Sequence, residues 1–407
     1  MNPWPLIHSS LSRYRLSAIA FVLLVAAGVS LSVAIVSQER ALRAGSARAA
    51  DRFDLIVAAP GSRTDALLTG VFLRPGSGSL LKPALTAALL NDHTAEFVSP
   101  LAFGDSYRGE PVIGVVSALV AHLSGPLAEG RIFAARNEAV VGAASLLKLG
   151  QSFHPAHGAH PGKDQAEFDH DADPHGVTLT VVGRMQPTGS PWDRAVTVPV
   201  ELVWSLHDLP AGHAPPSQQL GPPFDPAYTP GIPAAVVRTD NLENAYKLRR
   251  AYTSSEAMAF FPAEALIQLY SVLGDMRQLV GLLALVTQAL VLLSIVASVF
   301  ILFRLLMPQF VTLRALGAPR RYIFAIAWGF TSLLIGVGVV FGLAGGYVLS
   351  FAISAWLARL TGVTLEPTLG QGEFMLALSV LAVGLALATL PAWRMQRQTL
   401  SVAMKTY

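Results

Sequence analysis

Five of the ten histidines in this chain fall within residues 154–175: His154, His157, His160, His170 and His175. Asp164, Glu167, Asp169, Asp171 and Asp173 are interspersed with them. Neutral imidazole and carboxylate are the donor types that suit Zn²⁺, and three imidazoles with an open position can hold it. The spacing matches no rigid-site pattern such as H-E-x-x-H. It therefore predicts loose coordination of several geometries, weakening below about pH 6 as the imidazoles protonate. The same stretch, rich in Gly, Pro and Asp, also reads as a solvated, flexible insertion that binds nothing.

Other chemistry is sparse. A phosphate-binding loop needs G-x-x-x-x-G-K-[ST], so that backbone amides and a lysine can hold the phosphates. Gly76-Ser77-Gly78 lacks the following Gly-Lys, and nothing else matches. No local motif supports a Ser-His-Asp or paired-carboxylate arrangement, so the chain by itself does not read as an enzyme. His8, His93, His122, His207 and His213 read as structural or surface groups. Trp192 and Asp193, close to Pro187-Thr188-Gly189, read as a turn with packing residues. The chain has no cysteine, so no disulfide stabilises it.

The elements that must position these residues are dominated by apolar spans. Uncharged runs occupy 16–36, 279–303, 322–350 and 374–393. Each is long enough, at about 1.5 Å per helical residue, to cross a hydrocarbon layer of about 30 Å. The layout is one span, a large polar insertion, then three spans. Basic residues without acids occupy the tail 1–15 (Arg13, Arg15), the loop 304–321 (Arg304, Arg314, Arg320, Arg321) and the tail 394–407 (Arg394, Arg397, Lys405). Alternating crossings put these three segments on one side, and the positive-inside bias makes that side the cytoplasm. Residues 37–278 then face outward, as does the connection 351–373. The net charge of +3 is concentrated in these short inner segments, which argues against a nucleic-acid partner. The first span reads as a retained anchor rather than a cleaved signal, because 37–49 continues it as a helix.

The fold class expected is a membrane protein with four transmembrane helices and a large α+β extracytoplasmic domain between the first two. Strand candidates are 53–61, 111–116, 138–141, 178–185, 195–200 and 234–239. Residues 80–90 and 143–148 read as helical, and 154–175 and 209–233 as poorly ordered. The stretch from 241 reads as a helix. From Pro262 to Phe303 one long helix is expected, which with 37–49 forms a stalk under the external domain.

On the inner side, Pro308 suits the first turn of a short helix, and Gly317 suits the left-handed position just past its end. Phe310, Leu313 and Leu316 recur at helical spacing between them. The stretch from Leu313 to Arg321, LRALGAPRR, resembles the LRALG signature of MacB/FtsX-like ABC transporter permeases. Pro391-Ala392-Trp393-Arg394 resembles that family's C-terminal tail, and FDLIVAAPGS from Phe53 is similar to an early external-domain stretch of one subgroup. Val181-Val182-Gly183, Pro187-Thr188-Gly189 and Asp193-Arg194-Ala195 extend the resemblance across most of the chain.

The resemblance implies that Gln309, Phe310, Leu313, Arg314, Ala315, Leu316, Gly317 and Arg320 form a coupling helix that docks on an ATPase. The family usually has glutamate at the position of Gln309. It further implies a separate cytoplasmic ABC ATPase dimer carrying ATP and Mg²⁺, and a second copy of this permease. It leaves room for a periplasmic adaptor or substrate-binding protein. The location implied is the bacterial inner membrane, with the large domain in the periplasm. Gly336, Gly338, Gly342, Gly345 and Gly346 permit close helix packing, either at a dimer interface or within one subunit. A reading from another class is a membrane-anchored, metal-binding scaffold without an ATPase.

Overall fold

The computed structural model describes residues 2–74, 79–157, 176–272 and 274–397. The chain divides into two compact units. One comprises Met1–Leu42, Gly274–Trp356 and Glu366–Tyr407, and the other Arg43–Leu273 with Leu357–Leu365.

The first unit is helical. Its elements are α1 (Trp4–Arg13), α2 (Arg15–Ala50, which runs on past the unit), α3 (Gly274–Ala315), α4 (Arg320–Thr361) and α5 (Gln371–Arg397). Four stretches are long and apolar enough to cross a membrane: Arg15–Ala50, Gly281–Ala315, Arg320–Arg359 and Gln371–Thr389. Their shared core includes Val25, Val29, Ile295, Phe303, Phe330, Ile335 and Val380. Lipid supplies no hydrophobic drive between helices, so close packing and polar contacts must hold them together. Both are present. A Cβ added at Gly338, Gly342 or Gly346 of α4 would lie 2.7, 2.5 or 2.7 Å from the Cβ of Val25, Val29 or Val33 of α2. These three glycines therefore serve packing within one subunit. Gln38 Nε2 donates to Ser350 O (2.6 Å) and Ser354 Oγ (3.0 Å), and Gln288 Nε2 donates to Ser379 Oγ (2.6 Å). Arg40 meets the fully buried Glu373 at 2.6 Å.

The second unit is built on a mixed sheet. Its strands are β1 (Leu55–Ala58), β2 (Phe97–Tyr107), β3 (Glu110–Val115), β4 (Glu129–Gly130), β5 (Glu138–Val141), β6 (Ser152–Phe153), β7 (Ala156–His157), β8 (Leu179–Arg184), β9 (Val196–Pro199), β10 (Ala234–Arg238) and β11 (Met258–Phe260). Their order is β11-β1-β10-β2-β3-β9-β5-β8-β4, with β6 on β8 and β7 on β2. Two pairings are parallel, β3 with β9 and β5 with β8. Helices Arg63–Gly70, Pro83–Leu90, Ser117–Ser124, Val200–Leu206, Leu242–Ala251 and Pro262–Val272 accompany the sheet. The α+β expectation stands, and all six expected strands are present.

Four sequence expectations fail for identifiable reasons. The longest strand, β2, was not foreseen, because Pro100 and Gly104 break its pattern. Pro100 is accommodated opposite Ala235, and Gly104 lies where the register with β3 shifts. Residues 143–148 do not form a helix. Their backbone is bonded by side chains instead: Glu110 accepts from Ser145 Oγ (2.5 Å) and Leu146 N (2.8 Å), and Arg184 donates to Gly142 O and Ala143 O at 3.3 Å and to Leu147 O at 2.5 Å. Residues 209–233 are ordered. Phe224, only 2% exposed, meets Trp204 edge-on at 5.6 Å and stacks on His213 at 5.3 Å, while its N–H donates to Asn91. Finally, the short inner helix expected to start at Pro308 is the end of α3, which contains Pro308 in its interior. The long helix expected from Pro262 is seen as Pro262–Val272 and α3, on either side of residue 273.

Candidate functional site

Pro308 has no N–H to give to the preceding turn, which in a helix interior costs about 3 kcal/mol. The helix persists because its flanks are anchored. Leu306 and Phe310 are buried in the helical core, and Leu313 packs against it. Thr312 Oγ1 donates to Pro308 O at 3.0 Å. The segment predicted to dock a partner is thus a rigid extension of a membrane helix.

That helix ends in a Schellman motif. Gly317 has φ +89°, its N–H donates to Arg314 O at 3.0 Å, and Ala318 N–H donates to Leu313 O at 3.0 Å. These bonds satisfy carbonyls that the last turn would otherwise leave open. Pro319 follows and α4 begins at Arg320, with Tyr322 N–H donating to Pro319 O at 3.0 Å.

The predicted residues divide into two groups. Phe310 is buried, and Gln309, Leu313 and Arg314 are half-buried. Ala315, Leu316, Gly317 and Arg320 are exposed, as are Pro319 and Arg321. Leu316 is 80% exposed, an apolar knob beside two arginines on a turn fixed by its own backbone. Such a tip can enter an apolar recess with an acidic rim.

Sequence reasoning missed α1, which braces this segment. Ser10 Oγ donates to Gln309 Oε1 at 3.4 Å, Tyr14 OH to Leu305 O at 3.1 Å, and Tyr322 OH to Asn2 O at 3.1 Å. Ile7 is buried against Gly329, where an added Cβ would lie 3.0 Å from Ile7 Cδ1. Pro5 in the first turn, with Leu6, Ile7 and Leu11 beyond it, was the available signal.

In the sheet unit, the turn at 187–194 is built as packing. Asp193 accepts from Thr188 N (2.6 Å), Thr188 Oγ1 (2.8 Å) and Gly189 N (2.8 Å), and Trp192 is fully buried. The same turn receives the segment Leu357–Leu365. Thr364 N–H donates to Gly189 O at 3.3 Å, and Arg194 donates to Arg359 O at 2.5 Å. The connection between α4 and α5 is therefore fastened to this domain through backbone carbonyls.

Of the histidine set, His154 Nε2 lies 3.0 Å from Thr178 Oγ1, and His157 belongs to β7. His160, His170 and His175 lie outside the described residues. Among the described residues, no group of three or more His, Asp or Glu side chains is gathered as metal ligands. His122 Nε2 is bound to Arg52 O at 2.8 Å. His213 Nε2 sits 3.6 Å from Glu201, and burial pushes that imidazole down and that carboxyl up.

Residues 281–400 match the FtsX-like permease C-terminal family. No curated protein matches the chain. Among solved structures, the periplasmic region of MacB from Actinobacillus actinomycetemcomitans aligns over 55% of this chain and 95% of that one, at 9% identity and a TM-score of 0.33. At that score the alignment adds nothing to the argument, which rests on α3 to α5 and the turn between α3 and α4. Residues 281–400 are thus similar to the C-terminal domain of FtsX-like permeases, in line with the resemblance carried by the LRALG stretch.

Proposed function

We propose that this chain is the transmembrane subunit of an ABC transporter whose ATPase is a separate cytoplasmic polypeptide. ATP binding there would press on the exposed tip Ala315-Leu316-Gly317 with Arg320 and Arg321. The observation that supports this most is the tip itself. A mostly exposed leucine sits between basic residues, on a turn locked by two backbone bonds and backed by α1. Nothing in a lone membrane anchor calls for that construction. Gln309 would position the tip rather than contact the partner, because its side chain is turned to Ser10.

Force would pass along α3 and along α2, which is continuous from Arg15 to Ala50 and so extends well beyond one bilayer crossing. Two coupling turns are needed for the two grooves of an ATPase dimer, so two copies of the chain are the simplest complex. The site of action is the inner membrane of a bacterium, with the sheet domain in the periplasm. The His-rich insertion suggests a link to zinc handling, through His154, His157, His160, His170 and His175.

Co-purification with a co-expressed ABC ATPase tests this reading. Burying one leucine is worth about 1.5–3 kcal/mol. Leu316→Glu should therefore weaken capture about tenfold or more, and adding Gly317→Trp and Arg314→Glu should abolish it. Undiminished capture by the triple variant would end the coupling assignment and favour the metal-binding scaffold.

A further inference from the structure

A groove of about 630 Å³ runs between α2 and α4, with Leu11 of α1 also lining it. Its floor includes Ala18 of α2 and Leu334 of α4, both buried, and the small side chains at 18 and 26 leave the depression. Ile19, Leu23 and Phe341 stand along it and are more than half exposed. Both helices are long and apolar enough to cross a membrane, so this surface meets either hydrocarbon or another chain.

Arg15 is the one charged residue among those that line the groove. It is exposed, and among the described residues its guanidinium has no ion pair or hydrogen bond. The sequence supplies no carboxylate to it locally. Helix α1, the stretch of α2 up to Gln38 and the whole of α4 contain no Asp or Glu, and neither do 304–321 and 394–407. A guanidinium beside hydrocarbon keeps its charge, and its planar fork can hold a phosphate by two parallel N–H···O bonds.

The length fits as well as the charge. From Arg15 to Ala26 the helix rises about 16 Å. One leaflet takes about half of a hydrocarbon layer of about 30 Å, so an acyl chain reaches about as far. Apolar fit alone selects nothing here, because lipid tails are as apolar as leucine. Selection must come from the cation, since basic residues at a membrane surface favour anionic headgroups.

We propose that this groove is a binding site for an anionic phospholipid, with the phosphate on Arg15 and one acyl chain along Ala18, Val22 and Ala26. Placing the headgroup in the inner leaflet rests on the orientation proposed above, whereas the groove and its charge do not. Leu11 lies between Ser10 and Tyr14, which tie α1 to Gln309 and Leu305, so the bound lipid would sit against the brace of the coupling tip.

The test uses the delipidated full-length chain in detergent. Phosphatidylglycerol and phosphatidylcholine of identical acyl chains are titrated in, and the first binding step is read by native mass spectrometry. The expected result is a preference for phosphatidylglycerol that falls about fivefold in Arg15→Gln, the weight of one basic residue at an anionic surface. Arg13→Gln removes the same charge outside the groove, where Arg13 lies over the Tyr14 ring at 6.0 Å, and should leave the preference intact. Ile19→Trp narrows the groove without touching the charge and should weaken the first step for phosphatidylglycerol. Unfolding of the lipid-free variants checks that each is folded. No headgroup preference, equal loss in Arg13→Gln and Arg15→Gln, or no effect of Ile19→Trp would refute the site. The chain has no cysteine, so Ile19→Cys is a single reporter of the groove. If that variant cross-links two copies in native membranes, a second chain covers the groove and the lipid site is refuted. Capture of the ATPase through Leu316 is read separately, so failure of either proposal leaves the other standing.

Discussion

Gly342→Ala and Gly336→Ala form a matched pair that tests how the membrane helices are held. Both glycines lie in α4, and each substitution removes the same backbone freedom, worth about 1 kcal/mol in favour of alanine. They differ in surroundings. An added Cβ at Gly342 would stand 2.5 Å from Val29 Cβ and 3.1 Å from Ala26 O, whereas at Gly336 nothing lies within 4 Å. Contacts of 2.5 Å between carbons cannot exist, so α2 and α4 must separate. That breaks the seam continued by Gly338 and Gly346 and stretches the bond from Ser30 Oγ to Gly342 O, now 3.0 Å. Overpacking of this kind costs about 1–3 kcal/mol. The propensity gain cancels between the two variants, so their difference isolates the steric term. Gly336→Ala should be neutral or up to about 1 kcal/mol stabilising, and Gly342→Ala should fall below it by about 1–3 kcal/mol. The assay is unfolding in detergent, followed by tryptophan fluorescence or resistance to protease. Adding Val29→Gly to Gly342→Ala should restore part of the loss relative to Val29→Gly alone, because it removes both the Cβ at 2.5 Å and the Cγ1 at 2.8 Å. Equal behaviour of the two glycine variants, or no rescue, would refute the packing argument. A change of oligomeric state on Gly336→Ala with the fold intact would move the small-residue face to a subunit interface.

Three further outcomes are expected. Tyr14→Phe removes the bond to Leu305 O, worth about 1 kcal/mol; it should loosen α1 from α3, measured as faster exchange of the Gln309 and Phe310 amides. Gly317→Ala places a side chain in the left-handed region at a cost of about 1–2 kcal/mol; it should reduce ATPase stimulation while leaving unfolding of the sheet domain unchanged. Glu138, hydrogen-bonded by Arg131 and by the Ala134 and Ala135 amides, has its carboxyl lowered to about 2. A lowered carboxyl contributes stability that is complete above its unfolded value, near 4.3, and is lost as pH falls toward 2. Unfolding temperature should therefore fall less steeply between pH 5 and about 2.5 in Glu138→Gln than in the parent, as read by circular dichroism.

What the sequence displayed and what it hid divide along a physical line. The apolar helices and the turn at Gly317 were legible because each follows from a local rule: apolar length and left-handed backbone preference. The strands around Val57, Ile113, Val140 and Val236 were legible because buried β residues cluster in short runs. What stayed hidden depends on distant partners. Pro308 reads locally as a helix start, yet the burial of Leu306 and Phe310 against other helices carries α3 through it. Residues 209–233 read as loose until Phe224 finds Trp204. The glutamine at 309 looks like a weakened partner contact until Ser10, almost three hundred residues earlier, is placed beside it. That last case changes the functional argument. A residue bonded to α1 fixes the angle of the tip, so the load on the turn falls on Leu316 and the arginines around it. A carboxylate at position 309 would serve as an acceptor for Ser10 as well as glutamine does, but would add a negative charge to a segment whose exposed tip is basic. Gln309→Glu should accordingly leave the α1 contact intact and change only the electrostatics of docking. Its effect on capture should then be salt-dependent, whereas that of Leu316→Glu should persist at high salt. If both effects vanish together as salt is raised, the leucine knob is not what the partner grips.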